Sequence, residues 1–155
     1  MDFFEEWLNK ENQSKWIKRA LTDKSYKNKA IRESLPEREI NKDLATYGDA
    51  VIKLAYLELM LDKEEKITVK KSKVESDKFL VDKIARHYDL LKYIKKDDKN
   101  DKLPDSYDYE KYQSKNHNRC KYIATAVEAL IGAIYKETND LKKIVDLLDD
   151  WRKYS

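Results

Sequence analysis

The sequence predicts an all-α fold built as a single domain over residues 1–155, and three observations carry that expectation. Structure breakers are scarce: 155 residues contain only two Gly and two Pro. So few turn formers favour helices joined by polar loops over a sheet-rich fold. Apolar residues recur at helical spacing in several runs, the strongest at 38–62 and 117–137. Hydrophobic residues make up 41% of the chain and charged residues another 41%, which suits one core inside a very polar surface.

The elements follow in order. Residues 2–10 and 14–21 are predicted as short amphipathic helices, one carrying Phe3, Phe4, Trp7 and Leu8, the other Trp16, Ile17 and Leu21. A polar connection over 22–36 holds Ser25 and Tyr26, with a helical turn near 29–34. Pro36 is placed to occupy the first turn of the next helix, a position that needs no backbone N–H. Over 38–62, Ile40, Leu44, Tyr47, Val51, Leu54, Ala55, Leu57 and Leu61 give apolar character around most of a helix. Such a helix is central, or is shared between a core and a partner. Helices are also predicted at 68–75 and 77–89, the latter with Phe79, Leu80, Ile84 and Ala85 as its stripe. A charged loop over 95–105 ends near Pro104. After the helix at 117–137, a last one at 140–153 carries Leu141, Ile144, Val145, Leu148 and Trp151.

Charge and cysteine usage exclude more than they assign. The net charge of +3 is mildly basic, and 33 Lys and Arg residues can still be gathered on one face. A lone cysteine, Cys120, excludes an internal disulfide and fits a reducing compartment. No apolar run approaches the roughly 20 residues that cross a bilayer. The acidic start, Met1-Asp2-Phe3-Phe4-Glu5-Glu6, lacks the basic region of a signal peptide. The expectation is a soluble, cytoplasmic protein with no membrane association.

Gly48 and Gly132, the only glycines, both fall inside the strongest helices. A glycine in a helix interior costs about 1 kcal/mol relative to alanine, and its usual purpose there is close packing. An acid accompanies each. Asp49 follows Gly48, while Ala124, Glu128 and Gly132 share one helical face beside a second small ridge of Ala129 and Ala133. Helices with such ridges can cross closely and bring one acid from each to a shared point. Carboxylates among apolar neighbours are costly unless paired or bound to a metal. Mg²⁺ suits them, because it takes oxygen ligands and keeps several waters. A bound Mg²⁺ lowers the pKa of a water and stabilises charge on a phosphoryl oxygen. A salt-bridged or solvated acid is the competing reading for either residue.

Several stretches resemble the ribonuclease III family. Asn41-Lys42-Asp43-Leu44-Ala45-Thr46-Tyr47-Gly48-Asp49-Ala50-Val51 is similar to its signature helix, NERLEFLGDAV. The run from Ala124 to Tyr135 (ATAVEALIGAIY) is similar to its second acidic helix, ADAFEALIGAIY. Ala20-Leu21-Thr22-Asp23-Lys24-Ser25-Tyr26 resembles ALTHRSY. The segments from Ile67 to Val74 and from Phe79 to Ala85 resemble the LT-x-x-R-x-x-L-V and L-x-x-I-A patterns. The resemblance implies an endonuclease fold in which Asp49 and Glu128 are catalytic and bind Mg²⁺, with Mn²⁺ able to substitute. Glu64, or Glu65 in the adjacent register, corresponds to a further family acid.

The departures sharpen what the resemblance implies. The family carries an acid four residues before the signature Asp, where this chain has Ala45, and another three residues before the second-helix Glu, where it has Thr125. Its early signature Glu corresponds to Lys42. One acid of each pair is kept. The mini-ribonuclease III branch is similar at these places, with LAYIGDA-type and YSTAFEAL-type helices, and it cleaves double-stranded RNA without a separate RNA-binding domain. The expectation is that this chain likewise has no such domain. Duplex RNA would then be held through phosphates and 2′-hydroxyls. Lys70, Lys71, Lys73, Arg119 and Lys121 are the candidate contacts, together with Lys95, Lys96, Lys99, Lys102 and His117. The resemblance further implies a homodimer, with the helix over 50–61 at its interface. Three functions remain open: a Mg²⁺-dependent endoribonuclease of duplex RNA, with ribosomal RNA precursors as one substrate class; a catalytically silent fold that binds RNA or sits in a ribonucleoprotein; and an unrelated helical interaction domain.

Overall fold

A computed structural model describes residues 2–11, 13–65 and 76–154. The helix predicted at 68–75 lies outside the described residues, and so do Lys70, Lys71 and Lys73. The fold is helical, as expected. Helices α1 (Phe3–Leu8), α2 (Lys15–Ala20) and α3 (Tyr26–Glu33) lead to the long α4 (Lys42–Asp62). Helix α5 is continuous in three stretches: α-helical at Asp77–Phe79, π-helical at Leu80–Ala85 and α-helical again at Arg86–Tyr88. A two-stranded hairpin, β1 (Gln113–Ser114) with β2 (His117–Asn118), precedes α6 (Lys121–Thr138) and α7 (Leu141–Trp151).

Helix α6 is the centre. Its Tyr122, Ile123, Ala124, Ala126, Val127, Ala129, Leu130, Ile131, Gly132, Ala133 and Ile134 are all buried. A helix apolar all round belongs in a core, and α6 packs on α2, α4, α5 and α7, most extensively on α4. Helix α4 is two-sided instead. Leu44, Val51, Ile52, Ala55, Tyr56, Leu59 and Met60 are buried, while Tyr47, Leu54 and Leu61 remain exposed. The π-helical turns let Leu80, Val81, Ile84 and Ala85 all face the core, since i→i+5 bonding widens the helix.

Four of the helices, α1, α2, α5 and α7, are capped at the N-terminus by short polar side chains. Ser14 accepts from the N–H of Ile17 (3.2 Å), and its hydroxyl donates to Glu137 (2.6 Å), tying α2 to the end of α6. Asp140 accepts from Lys143 at the start of α7 (3.3 Å). At the N-terminus, Phe4 packs against Tyr88 and Trp151, and Tyr88 donates to Asp2 (2.7 Å).

Three boundaries differ from the expectation, the last two for a polar reason. The turn near 29–34 is a full helix, α3. The long helix begins at Lys42, and Pro36 lies in the irregular run before it. Asn41 is held to α2 there, its N–H donating to Thr22 (2.9 Å) and its amide to Ala20 (3.0 Å), so the chain arrives non-helical. The helix predicted from 117 begins at Lys121 because residues 117–118 pair in the hairpin. Asn118 donates to Tyr109 (2.7 Å) and Gln113 (3.0 Å) and accepts from Cys120 (2.7 Å). Loop 95–105 is irregular, as predicted, but it is anchored. Asp97 accepts twice from Arg32 (2.8 and 3.3 Å), and Lys95 donates to Leu21 (2.7 Å).

Candidate active site

The two glycines face each other where α4 crosses α6. A Cβ on Gly48 would overlap the carbonyl oxygen of Glu128 and stand 3.0 Å from the nitrogen of Gly132. A Cβ on Gly132 would stand 2.7 Å from the carbonyl oxygen of Leu44 and 3.1 Å from the nitrogen of Gly48. The helices are therefore in backbone contact. The residue that Gly48 touches is Glu128 and the residue after Gly48 is Asp49, so the crossing sets the two acids side by side.

Their electrostatics follow from that placement. Glu128 is half-buried, and its pKa is pushed up to about 8, first by burial and then by the charge of Asp49, with which it shares a hydrogen bond. Asp77 raises it further, while Lys121 opposes the shift. Asp49 is partly exposed and pairs with Lys53 one turn on (2.9 Å). Asp77, the first residue of α5, is also raised above the ordinary carboxylate range, first by burial. Lys121 and a hydrogen bond from Tyr109 lower it, and Asp49 raises it. Carboxylates held together in this way repel each other unless a proton or a cation intervenes.

This third acid, Asp77, was missed by sequence reasoning. It lies 28 residues from Asp49 and 51 from Glu128 along the chain, with no spacing to link it to either. Its holder, Tyr109, is fixed at both backbone groups: its N–H donates to Asp82 (2.8 Å) and its carbonyl accepts from Asn118 (2.7 Å). Only the folded chain brings these together.

The other candidates are distributed unevenly. Lys121, at the start of α6, acts on both Glu128 and Asp77. Arg119 is exposed and stacks over Tyr112, 4.9 Å from its ring centroid. His117 is exposed on β2. Lys96 is committed to Asp105 (3.1 Å), with its side chain only 11% exposed. Ala45 is buried and has no side-chain oxygen, and the hydroxyl of Thr125 donates back to Lys121 O (3.1 Å), so neither supplies a carboxylate. Glu64 is exposed in a left-handed turn after α4. The helix from Asp49 to its end at Asp62 rises about 20 Å at ~1.5 Å per residue. Glu64 is thus not brought to Asp49, and Glu65 is bound by Arg152 (2.8 and 3.0 Å).

The family model for the ribonuclease III domain matches residues 42–139, well over half of the chain. The chain belongs to the ribonuclease III family. No curated protein and no solved structure matches it. The matched span runs from the first residue of α4 to just past α6, so it contains the crossing and all three acids. This is a family of nucleases that generally use a divalent metal and bind double-stranded RNA. Among the described residues, no helix is long and apolar enough to cross a membrane.

The donor set fits the divalent cation that the family implies. Asp49, Glu128 and Asp77 offer carboxylate oxygens alone, the ligand type Mg²⁺ prefers. Among the described residues, three ligand atoms lie mutually within 4.8 Å only at Asp2, Glu5 and His87. The carboxylate oxygens of Asp49, Glu128 and Asp77 do not converge to that distance.

Proposed function

We propose that the chain is a divalent-metal-dependent endoribonuclease that cleaves double-stranded RNA as a homodimer in the cytoplasm. One observation carries the reading. The Gly48–Gly132 crossing presses Glu128 against Asp49, and Glu128 is held in a half-buried place where its charge needs a partner. Lys121 acts on Glu128 but does not cancel that pressure, and Lys53 pairs with Asp49 instead. Asp49 and Glu128 would hold Mg²⁺, or Mn²⁺ in its place. When bound, such an ion supplies a water of lowered pKa and stabilises charge on a phosphoryl oxygen.

The chain's own residues would position the duplex. Lys121, which acts on both Glu128 and Asp77, would meet the scissile phosphate, and Arg119 and His117 would add contacts from the hairpin. Lys70, Lys71 and Lys73, which lie outside the described residues, are proposed as further RNA contacts on their charge alone. Such contacts read the duplex by backbone and shape. Ribosomal RNA precursors are a substrate class rich in such duplexes. Tyr47, Leu54 and Leu61, exposed by 38%, 48% and 66%, recur every seven residues along the outer face of α4. A long-lived apolar stripe of this kind needs cover, and a second copy in twofold contact provides it. Light scattering should give a dimer for the wild type and a monomer for Leu54→Asp, with far-UV circular dichroism unchanged. A monomeric wild type overturns the assembly.

The deciding assay gives the purified protein duplex RNA with Mg²⁺ or Mn²⁺, beside Asp49→Asn and Glu128→Gln. Each variant should lose at least about a hundredfold in cleavage, the scale expected when transition-state charge stabilisation is removed. A second reading, a silent fold that binds RNA without cutting it, is favoured by Ala45 and Thr125, which supply no ligands, and by the Lys53 pair on Asp49. Binding without cleavage by the wild type would establish that reading instead.

A further inference from the structure

We propose that the groove between α2 and residues 36–39 binds a nucleotide, its phosphate on Arg38 and its base against Trp16. The groove holds about 560 Å³, within the ~300–1,000 Å³ of small-molecule sites. Arg19 builds it. Its Nε donates to the carbonyl of Ile40 (3.2 Å) and its guanidinium pairs with Glu39 (3.0 Å), which straps the irregular run to α2. Arg38 lines the groove, half-buried, with its guanidinium carbon 5.8 Å from the ring centroid of Tyr26. Its Nη1 is buried and has no hydrogen-bond partner. Arg19, Arg32, Arg86 and Arg152 each donate to an oxygen instead. A guanidinium keeps its charge, and a buried charged donor left unpaired is costly. The flanking acids do not relieve it: Glu39 is taken by Arg19, and Glu37 stays exposed. An acceptor from outside the chain would complete Arg38.

Charge and ring chemistry choose that acceptor. Lys15 and Lys18 line the same groove, and Lys27 and Lys42 line its continuation. Cations outnumber acids along this face by six to three. An arginine fork matches phosphate oxygens two at a time. The wall is aromatic as well. Trp16 is half-buried in the groove lining, with Lys15 and Lys136 each 5.1 Å and Arg19 5.8 Å from its ring centroid. Cations around an exposed aromatic edge suit a nucleic-acid strand, whose bases lie on rings while its phosphates lie on the cations. A simple carboxylate would use Arg38 and leave Trp16 idle. The nucleotide is either free or part of a single-stranded RNA, since both present the same phosphate and base. Neither Asp49 nor Glu128 lines the groove, so this site stands whether or not those acids cut RNA, and it needs no metal.

The test uses the intact chain in metal-free buffer, so that no strand is cut. Fluorescein-labelled single-stranded octauridylate is titrated and followed by anisotropy, with uridine monophosphate, unlabelled octauridylate and a polyglutamate peptide as competitors. Arg38→Gln should weaken binding about tenfold, the loss of one charge-assisted hydrogen bond. It should also lower the log–log salt slope by about 0.7, one phosphate of a single strand. Trp16→Leu should weaken binding about tenfold, the loss of one stacked base. The melting temperature of Arg38→Gln should stay level or rise, because an unpaired buried charge is removed. Displacement by uridine monophosphate supports the site with a free nucleotide as sufficient ligand, and displacement by the unlabelled octamer alone supports it as a strand site. Equal displacement by polyglutamate reduces the groove to a general anion patch and overturns the proposal. So does a wild type that binds no octauridylate, or an Arg38→Gln variant that binds like the wild type. A wild type that binds the strand but never cuts duplex RNA with Mg²⁺ leaves this site standing and overturns the nuclease reading. One that cuts the duplex while Arg38→Gln changes nothing does the reverse.

Discussion

The acid site has two walls of different construction. One is the crossing of α4 and α6, where two glycines let backbones touch and no polar side chain does the holding. The other is the Asp77 wall, where Tyr109, Asp82 and Asn118 hold an acid through hydrogen bonds that span 27 and 9 residues of chain. The first wall tolerates no added atom, and the second tolerates no lost partner. Steric exclusion fixes where Asp49 and Glu128 stand, and the polar latch fixes the backbone of Tyr109.

The crossing breaks hardest. Gly48→Val should cost at least about 4 kcal/mol in urea unfolding or abolish folding, because the new side chain meets the backbone at Glu128 and not a flexible chain end. Gly132→Ala should cost less, about 1–3 kcal/mol, since its closest clash is a single carbonyl at 2.7 Å. The latch should yield more gently. Asn118→Ala leaves the Tyr109 carbonyl and the Cys120 N–H without their partner, a loss of about 1–3 kcal/mol by the same measurement.

A pH series sharpens the contrast further, with a smaller effect. The folded-state pKa of Glu128 lies near 8 against an ordinary 4.5. A raised acid pKa means that the folded state holds the proton more tightly than the unfolded chain does. Glu128 therefore adds stability below pH 4.5, and that contribution is lost as pH climbs through 8. In metal-free buffer the wild type should lose melting temperature across that window, and Glu128→Gln should lose less. Stabilisation by Mg²⁺ should grow over the same window, because the ion replaces the departing proton. Equal pH slopes for the two proteins would remove the like-charge pressure from the site.

The sequence made the first wall readable and left the second hidden, for physical reasons. Gly48 and Gly132 are legible because a glycine inside a strong helix is locally unfavourable and asks for a packing reason. Asp49 and Glu128 are legible because helical periodicity fixes which face they share with those glycines. Asp77 carries no such mark. Nothing local separates it from the other acids of this very acidic and basic chain, and its role depends on a hairpin whose strands are two residues each. The start of α6 was misplaced for the same reason: Asn118 makes three long-range or turn hydrogen bonds that no periodicity announces. The exposed Tyr47, Leu54 and Leu61 were visible as an excess of apolar residues on one helix, and the fold shows which side they take.

The glycine crossing has a consequence for how such chains diverge. Replacing either glycine should cost the fold, whereas on the proposed function replacing Asp49 or Glu128 by its amide would relieve repulsion and cost only the chemistry. Selection for folding and selection for cleavage therefore act on different residues of the same two helices. A descendant that had stopped cutting RNA would be free to lose its acids early and would still have to keep both glycines. Across a lineage, the glycine pair records ancestry, and only the acids beside it record whether the enzyme is still at work.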